Sequence, residues 1–235
     1  MDQFFYSSQI DDDFIILPED ETIHALKVLR KKIGDIILVV DGKGSLYETC
    51  IESENIQGCR LNILSVDKTS YQRNYYIHIS MAPPKSHDRL EWFVEKAVEL
   101  GVQEISFFLA EHSERKHIKL NRIEKRAISS MKQSLQAFLP KINDIISLKD
   151  LIKICNNDEK YIGNLNEGKK NHLIQSARPN KDYCMLIGPE GDFSSSELSE
   201  SQEFGFKPVS LGNNRLRTET AGLAACHILN LVNQK

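Results

Sequence analysis

Apolar residues recur along the chain with two different periods, and the change from one to the other falls near residue 70. Between residues 36 and 66 three short β-rich runs, IILVVD, LYETCI and RLNILSV, are separated by turn signals at Asp41-Gly42-Lys43-Gly44 and from Asn55 to Gly58. Runs of this length joined by tight turns predict a small antiparallel β-barrel. A polar stretch from Asp67 to Asn74 follows. Beyond it, apolar strand-like runs alternate with segments of helical period. The pattern reads as strand 75–81, helix 88–100, strand 104–110, helix 121–138, a short strand near 144 and helix 148–156. Strands 160–165 and 183–188, helix 194–204, strand 208–212 and helix 218–233 complete it. Alternation of this kind predicts an α/β domain whose parallel sheet is covered on both faces. Two domains are therefore expected, 1–70 and 71–235.

Local signals support these elements. Gly101 stands just past a helix whose core face is Leu90, Phe93, Val94, Ala97 and Val98. Asn121 with Glu124, and Ser194 with Glu197, have the spacing of capping boxes. Trp92, the single tryptophan, is expected to pack in a core or an interface.

With 235 residues, 40% of them apolar and 27% charged, the chain can bury a substantial core. The opening MDQFFYSSQIDDDF has no basic segment followed by a long apolar one, and no apolar run reaches the roughly 18 residues of a membrane span. A cytoplasmic protein without membrane association is expected. The five cysteines (Cys50, Cys59, Cys155, Cys184, Cys226) form no CxxC pair and read as buried free thiols. No two of the seven histidines share the i, i+4 spacing of ligands on one helical face, so no metal is expected.

The net charge of −3 argues against indiscriminate coating of nucleic acid, but it is unevenly spread. Residues 1–70 hold seven Lys/Arg against thirteen Asp/Glu, leaving an excess of basic over acidic groups in the remainder. From His112 to Lys141 there are Arg115, Lys116, Lys119, Arg122, Lys125, Arg126, Lys132 and Lys141 against only Glu114 and Glu124. That stretch is either a phosphate-facing surface or a solvated helix face.

In an open parallel sheet, ligands bind outside the carboxyl ends of the strands, so the loops after strands carry the chemistry. After Cys184-Met185-Leu186-Ile187 the chain reads Gly188-Pro189-Glu190-Gly191-Asp192-Phe193, and after Val209-Ser210-Leu211 it reads Gly212-Asn213-Asn214-Arg215-Leu216-Arg217-Thr218-Glu219-Thr220-Ala221. Glycines around a proline let main chain approach a flat ligand while one turn stays rigid. Neither GxxxxGK[ST] nor a G-x-G-x-x-G opening a βαβ unit is present, which argues against a nucleoside triphosphate or a dinucleotide. Arg217 and Glu219 lie at the entry to the last helix, as functional charges or as an N-terminal charge pair with Thr218 or Thr220 as cap.

IGPEG at 187–191, with Glu197 six residues on, followed by LGNNRLRTETA at 211–221, resembles the paired C-terminal motifs of the RsmE family. These are SPOUT-class enzymes that methylate N3 of a uridine in 16S ribosomal RNA. The resemblance runs nearly end to end. His24 to Arg30, ending Val28-Leu29-Arg30 and followed by Gly34-Asp35, is similar to the family's N-terminal segment, in which a PUA-like barrel contributes to RNA binding. Lys85, Arg89 and Glu95 to Val102 resemble its first catalytic-domain helix.

The resemblance implies S-adenosylmethionine as cofactor, a trefoil knot that holds it, a homodimer, and 16S ribosomal RNA or the 30S subunit as partner. It places the cofactor against Leu186, Ile187, Gly188, Pro189, Glu190, Gly191, Leu211, Gly212, Asn213, Leu216, Thr218, Thr220 and Ala221, with Arg217, Glu219 and Glu190 at the transferred methyl. A carboxylate near Arg217 could take the N3 proton or orient the arginine; Glu219, Glu190 and Asp192 compete for that role, with Glu219 favoured as the orienting residue. RNA contacts are expected from His24, Lys27, Arg30, Lys85, Arg89, Arg115, Lys119 and Arg122. Four features depart from the family. Lys132 precedes Gln133-Ser134 where an acidic residue is common, and Leu135, Gln136 and Ala137 follow where an arginine is common. Met1-Asp2-Gln3 stands where an arginine often precedes Phe-Phe, and Asp192 replaces the second glycine of GPEGG. Two rival readings remain: a SPOUT enzyme methylating a ribose 2′-hydroxyl, and a non-catalytic ribosome-associated RNA-binding protein.

Overall fold

A computed structural model of the chain describes residues 3–164 and 170–234. Met1 and Asp2, and residue 165 at the end of the predicted strand 160–165, lie outside the described residues. Two compact units form, one from Met1–Gln72 with Ile128–Leu139 and one from Arg73–Ala127 with Pro140–Lys235.

The first unit holds β1 (Phe4–Tyr6), β2 (Gln9–Ile10), β3 (Phe14–Ile16), α1 (Glu19–Ile23), β4 (Ile36–Val40), β5 (Leu46–Ile51) and β6 (Arg60–Asp67). They make one six-stranded sheet in the order β1-β4-β5-β6-β3-β2, antiparallel except where β1 runs parallel to β4. Alternation puts Ile37 and Val39 on the inner side with Phe5, Ile15, Leu17 and Leu61. A single π-helical turn, His24–Val28, follows α1. The runs at 36–66 are β4 to β6. The first three strands are two or three residues long, too short for a periodic signal.

The segment 128–139 closes on this unit by hydrogen bonds from Leu139 N to Gly42 O (2.9 Å) and from Gly44 N to Ala137 O (3.0 Å). The helix expected to reach 138 accordingly stops at Gln133. Ser134 Oγ donates to Ser130 O, and Leu135 takes a left-handed φ of +54° that turns the chain out of the helix. Lys132, a departure from the family pattern, pairs with the buried carboxylate of Glu21.

The second unit holds β7 (Tyr76–Met81), α2 (His87–Glu99), β8 (Glu104–Leu109), the first part of α3 (Leu120–Gln133), β9 (Lys141–Ser147), α4 (Leu148–Ile154) and β10 (Glu159–Gly163). After these come α5 (Leu173–Ser176), β11 (Asp182–Ile187), α6 (Ser195–Glu203), β12 (Lys207–Val209) and α7 (Thr218–Val232). The strands form one fully parallel sheet, β12-β10-β11-β7-β8-β9. Phe108, Leu148, Leu151, Ile152, Leu186, Phe193, Leu198 and Phe206 make an apolar cluster where α4 and α6 pack. α7 packs on β7, β11 and α2. The α2 face predicted from its period, Leu90, Phe93, Val94, Ala97 and Val98, is buried. Trp92 is 44% exposed and so is not a core residue, because it points away from that face.

Helix ends follow local chemistry. Ser194 Oγ accepts from Glu197 N and Glu197 Oε2 accepts from Ser194 N at 2.9 Å, a complete capping box. Asn121 does not cap α3. The helix starts at Leu120, and Lys119 O accepts from both Arg122 and Ile123, so Asn121 already lies inside the first turn. Gly101 follows α2 with φ +75°, as a helix stop requires.

Candidate active site

Because every strand of the second sheet is parallel, the carboxyl ends of β10, β11 and β12 lie at one edge, and the loops leaving them enclose a cavity of about 320 Å³. Gly163 and Asn164 come from the end of β10, Ile187 to Glu190 and Asp192 from the loop after β11, and Val209 to Gly212 and Asn214 to Thr218 from the loop after β12, with Ala221 from α7. Of the residues expected to hold the cofactor, Ile187, Gly188, Pro189, Glu190, Leu211, Gly212, Leu216, Thr218 and Ala221 line this cavity. Leu186 belongs to the core cluster behind it, while Gly191, Asn213 and Thr220 are exposed and outside the lining. No local pattern marks Gly163 and Asn164, since only the strand order β12-β10-β11 brings the end of β10 between the two motif loops.

The loops are held by few, specific contacts. Asp192 N donates to Pro189 O at 3.0 Å and Asp192 has φ +62°, the left-handed conformation natural to the glycine it replaces. Its own Oδ1 accepts from Phe193 N at 2.9 Å, a local bond an aspartate can offer in that conformation. Thr218 Oγ1 donates to Gly188 O at 3.2 Å, tying the start of α7 to the first loop. A Cβ at Gly188 would stand 2.9 Å from the Phe193 ring, so this glycine makes room for a side chain, not for a ligand. Gly212 is different: its φ is +135° and an added Cβ would meet nothing within 4 Å. There, backbone conformation alone requires glycine.

Arg217 is the residue preceding the first turn of α7; it is exposed and lines the cavity. Glu219, two residues on, is buried, and its carboxylate is 3.7 Å from Arg89 Nε, so its ionic partner is Arg89 and not the Arg217 it was expected to orient. The helix geometry explains this: residues two apart project to different sides. Glu190 sits on the rim, where its Oε1 accepts from Lys85 N at 3.2 Å and its carbonyl accepts from Arg215. Neither Thr218 nor Thr220 caps α7.

Further bonds tie the loop after β8 to the same edge. Glu111 N donates to Glu197 Oε1 at 2.8 Å, and His112 Nδ1 lies 3.0 Å from Asp192 O. Arg115 Nε donates to Pro84 O at 2.9 Å, and a second guanidinium nitrogen donates to Lys85 O. The remaining residues expected to meet RNA divide into paired and open ones. Arg122 Nε is 2.5 Å from the buried Glu91, which Arg126 also approaches, and Lys85 Nζ is 2.8 Å from Glu114. Lys119, and in the first unit Lys27 and Arg30, are exposed, while His24 Nε2 lies 2.7 Å from Gln3 Nε2.

A second cavity of about 610 Å³ opens toward the amino ends of β7, β8 and β9. Its polar groups satisfy one another: His78 Nε2 lies 2.7 Å from Ser106 Oγ and 2.9 Å from Ser80 Oγ, and Asn143 bridges Ser106 and Glu104. Burial lowers the His78 pKa below the ordinary histidine value. Among the described residues no group of His, Cys, Asp and Glu is arranged to hold a metal, no disulfide forms, and no helix is long and apolar enough to cross a membrane.

Fold and cavity define a two-part protein: a mainly antiparallel β-unit and a parallel α/β unit with a cavity at the carboxyl ends of its strands. Residues 72–230 match the family described as an RNA methyltransferase domain, and residues 17–64 match the RNA methyltransferase PUA domain. A probable rRNA-methyltransferase from Porphyromonas gingivalis, known from a crystal structure, is 39% identical, with 99% of this chain and 98% of that one covered and a TM-score of 0.92. A ribosomal RNA small subunit methyltransferase E from Neisseria gonorrhoeae, solved bound to S-adenosyl methionine, is 27% identical over 99% of this chain and 98% of that one, with a TM-score of 0.87. The protein named ribosomal RNA small subunit methyltransferase E in Mesomycoplasma hyopneumoniae is 28% identical over 93% of this chain and 95% of that protein. The chain belongs to this family of PUA-containing RNA methyltransferases.

Proposed function

We propose that this protein transfers a methyl group from S-adenosylmethionine to N3 of a uridine in 16S ribosomal RNA, acting in the cytoplasm as a homodimer whose C-terminal segment is threaded through a trefoil knot. The observation that carries this function is the cavity at the ends of β10, β11 and β12, lined by both motif loops, with Arg217 in its lining. The names of its relatives and the bound ligand of the Neisseria gonorrhoeae structure support the same substrate class and cofactor.

The residues present fit such a ligand. Asn164 Oδ1 is buried, Asn164 lines the cavity, and among the described residues this oxygen has no hydrogen-bond partner, so it is an acceptor awaiting a donor. The adenosine would rest against Ile187, Leu211 and Leu216, with the backbone of Gly188 and Gly212 at hand for polar contacts. When bound, S-adenosylmethionine supplies an electrophilic methyl.

The protein's own task is to make N3 nucleophilic. That imide nitrogen loses its proton as it attacks, and negative charge spreads to O2 and O4. Arg217, exposed at the cavity, donates to the oxygen where charge develops; a preorganised donor of this kind is worth about 3–4 kcal/mol in the transition state. Glu190 keeps one carboxylate oxygen on the Lys85 amide and receives the N3 proton on the other. Glu219 pairs with Arg89 of α2.

Nucleoside analysis of ribosomal RNA from a strain lacking the protein tests the reaction: 3-methyluridine should disappear from 16S RNA. Loss of a 2′-O-methyl nucleoside would move the reading to ribose methylation, and no change together with no heat on titration with S-adenosylmethionine would leave an RNA-binding protein. Arg217→Ala should lose about 100-fold or more in single-turnover rate with little change in cofactor affinity, and part of the loss should return as pH rises and N3 deprotonates without help.

A further inference from the structure

Arg115 sits in the basic stretch that is a candidate for phosphate contact, yet its guanidinium is turned to the protein's own backbone. Nε donates to Pro84 O at 2.9 Å, Nη2 donates to Lys85 O, and Nη1 lies 2.7 Å from His87 Nε2. The turn it grips leaves the carboxyl end of β7 as Ala82-Pro83-Pro84-Lys85-Ser86. Two successive prolines remove two backbone donors, so this turn has fewer bonds with which to hold its own shape.

The peptide group between Pro84 and Lys85 is the important unit. Its carbonyl is the acceptor for Arg115 Nε, and its N–H is the donor to Glu190 Oε1 at 3.2 Å. A peptide group is planar, with C=O and N–H pointing in opposite directions, so fixing the oxygen fixes the direction of the N–H. Glu190 in turn borders the cavity at the end of β11. One rigid plane therefore links Arg115 on the loop after β8 to a carboxylate on the cavity rim.

Resting on the function proposed above, we propose that Arg115 is a positioning residue: by holding the Pro84–Lys85 peptide plane it aims the Lys85 N–H at Glu190 and sets the place of that carboxylate beside the cofactor. The role depends on the planar fork of a guanidinium, which reaches two adjacent carbonyls and the His87 ring at once. An ammonium of equal charge offers one point and not a fork.

Arg115→Lys separates this role from phosphate contact, because it keeps the charge and loses the fork. Three readings are made on the full chain: amide hydrogen exchange in peptides covering 82–88 and 188–194, KM and kcat with S-adenosylmethionine and 16S ribosomal RNA, and the salt dependence of RNA binding. For R115K we expect faster exchange confined to those two segments, a KM for S-adenosylmethionine raised or a kcat lowered by about tenfold, and an unchanged KM and salt slope for RNA. Combining R115K with Glu190→Ala should add no further loss of rate, since both act on one link. Wild-type exchange in 188–194 together with wild-type kinetics in R115K would overturn the proposal, as would a loss in Arg115→Ala that R115K fully restores. Should R115K speed exchange throughout the chain, E190A alone decides: exchange at 82–88 must rise, and no rise refutes the link. Hydrogen exchange is read without turnover, so a wild-type protein that methylates no RNA would sink the proposed function and still leave the positioning role tested.

Discussion

The carboxylate of Glu219, in the first turn of α7, stands 3.7 Å from Nε of Arg89 on α2, with side-chain exposures of 7% and 43% respectively. The pair bridges the two helices that pack on each other, and its members are unequally solvated. Removing Arg89 strands a carboxylate in the interior, whereas neutralising Glu219 leaves an arginine that water can still reach. Arg89→Ala is therefore expected to cost about 1–3 kcal/mol of unfolding free energy and Glu219→Gln under about 1 kcal/mol. Urea midpoints of the two variants measure this, and equal losses would mean the pair's burial does not govern its energetics.

Gly188 and Gly212 both line the cavity but are constrained by different things. A side chain at Gly188 collides with Phe193, which stacks on Phe108 in the core, so Gly188→Val should lose about 1–3 kcal/mol of stability along with cofactor binding. At Gly212 the space is open and only φ forbids a side chain, so Gly212→Val should weaken cofactor binding by about tenfold or more through a displaced loop while the melting midpoint moves by only a few degrees. Calorimetric titration and thermal unfolding on the same samples separate the two effects.

Burial in the second unit depresses the His78 pKa, which gives stability a defined pH dependence. The unfolded chain takes up a proton near the ordinary histidine value of about 6.5 and the folded one only at lower pH. Stability is thus full above that value and falls as pH drops below it, until the folded-state pKa is reached. His78→Gln should flatten the decline in unfolding midpoint between about pH 7.5 and 5. An undiminished slope in the variant would assign the acid sensitivity to other groups.

The basic residues are expected to separate by their partners. Lys119 and Arg30 are exposed, so alanine at either should weaken RNA binding, reduce its salt slope by about one unit or less, and leave cofactor affinity and folding alone. Arg122 neutralises the buried Glu91, so Arg122→Ala should in addition lower stability by about 1 kcal/mol. RNA affinity without salt dependence would reduce the whole stretch to a solvated face.

What the sequence determined by itself was whatever is encoded by period and by neighbours in the chain. The alternation of strands and helices after residue 75, the apolar face of α2, the capping box at Ser194 and the glycine stop at Gly101 each depend on residues within a few positions of one another. The two motif loops were legible for the same reason, since each follows its own strand directly. The tertiary structure decided everything that depends on which strand lies beside which and where a long side chain ends. Strand order brings Gly163 and Asn164 between the motif loops, although no local pattern marks either residue. Packing of α7 on α2 gives Glu219 to Arg89 instead of Arg217, and the closing of 128–139 onto the β-unit ends α3 early and gives Lys132 to Glu21. Arg115 shows the limit most plainly: a guanidinium on a long flexible stem binds whatever acceptors the fold delivers, and the fold delivers the Pro84 and Lys85 carbonyls, from a loop some thirty residues earlier in the chain.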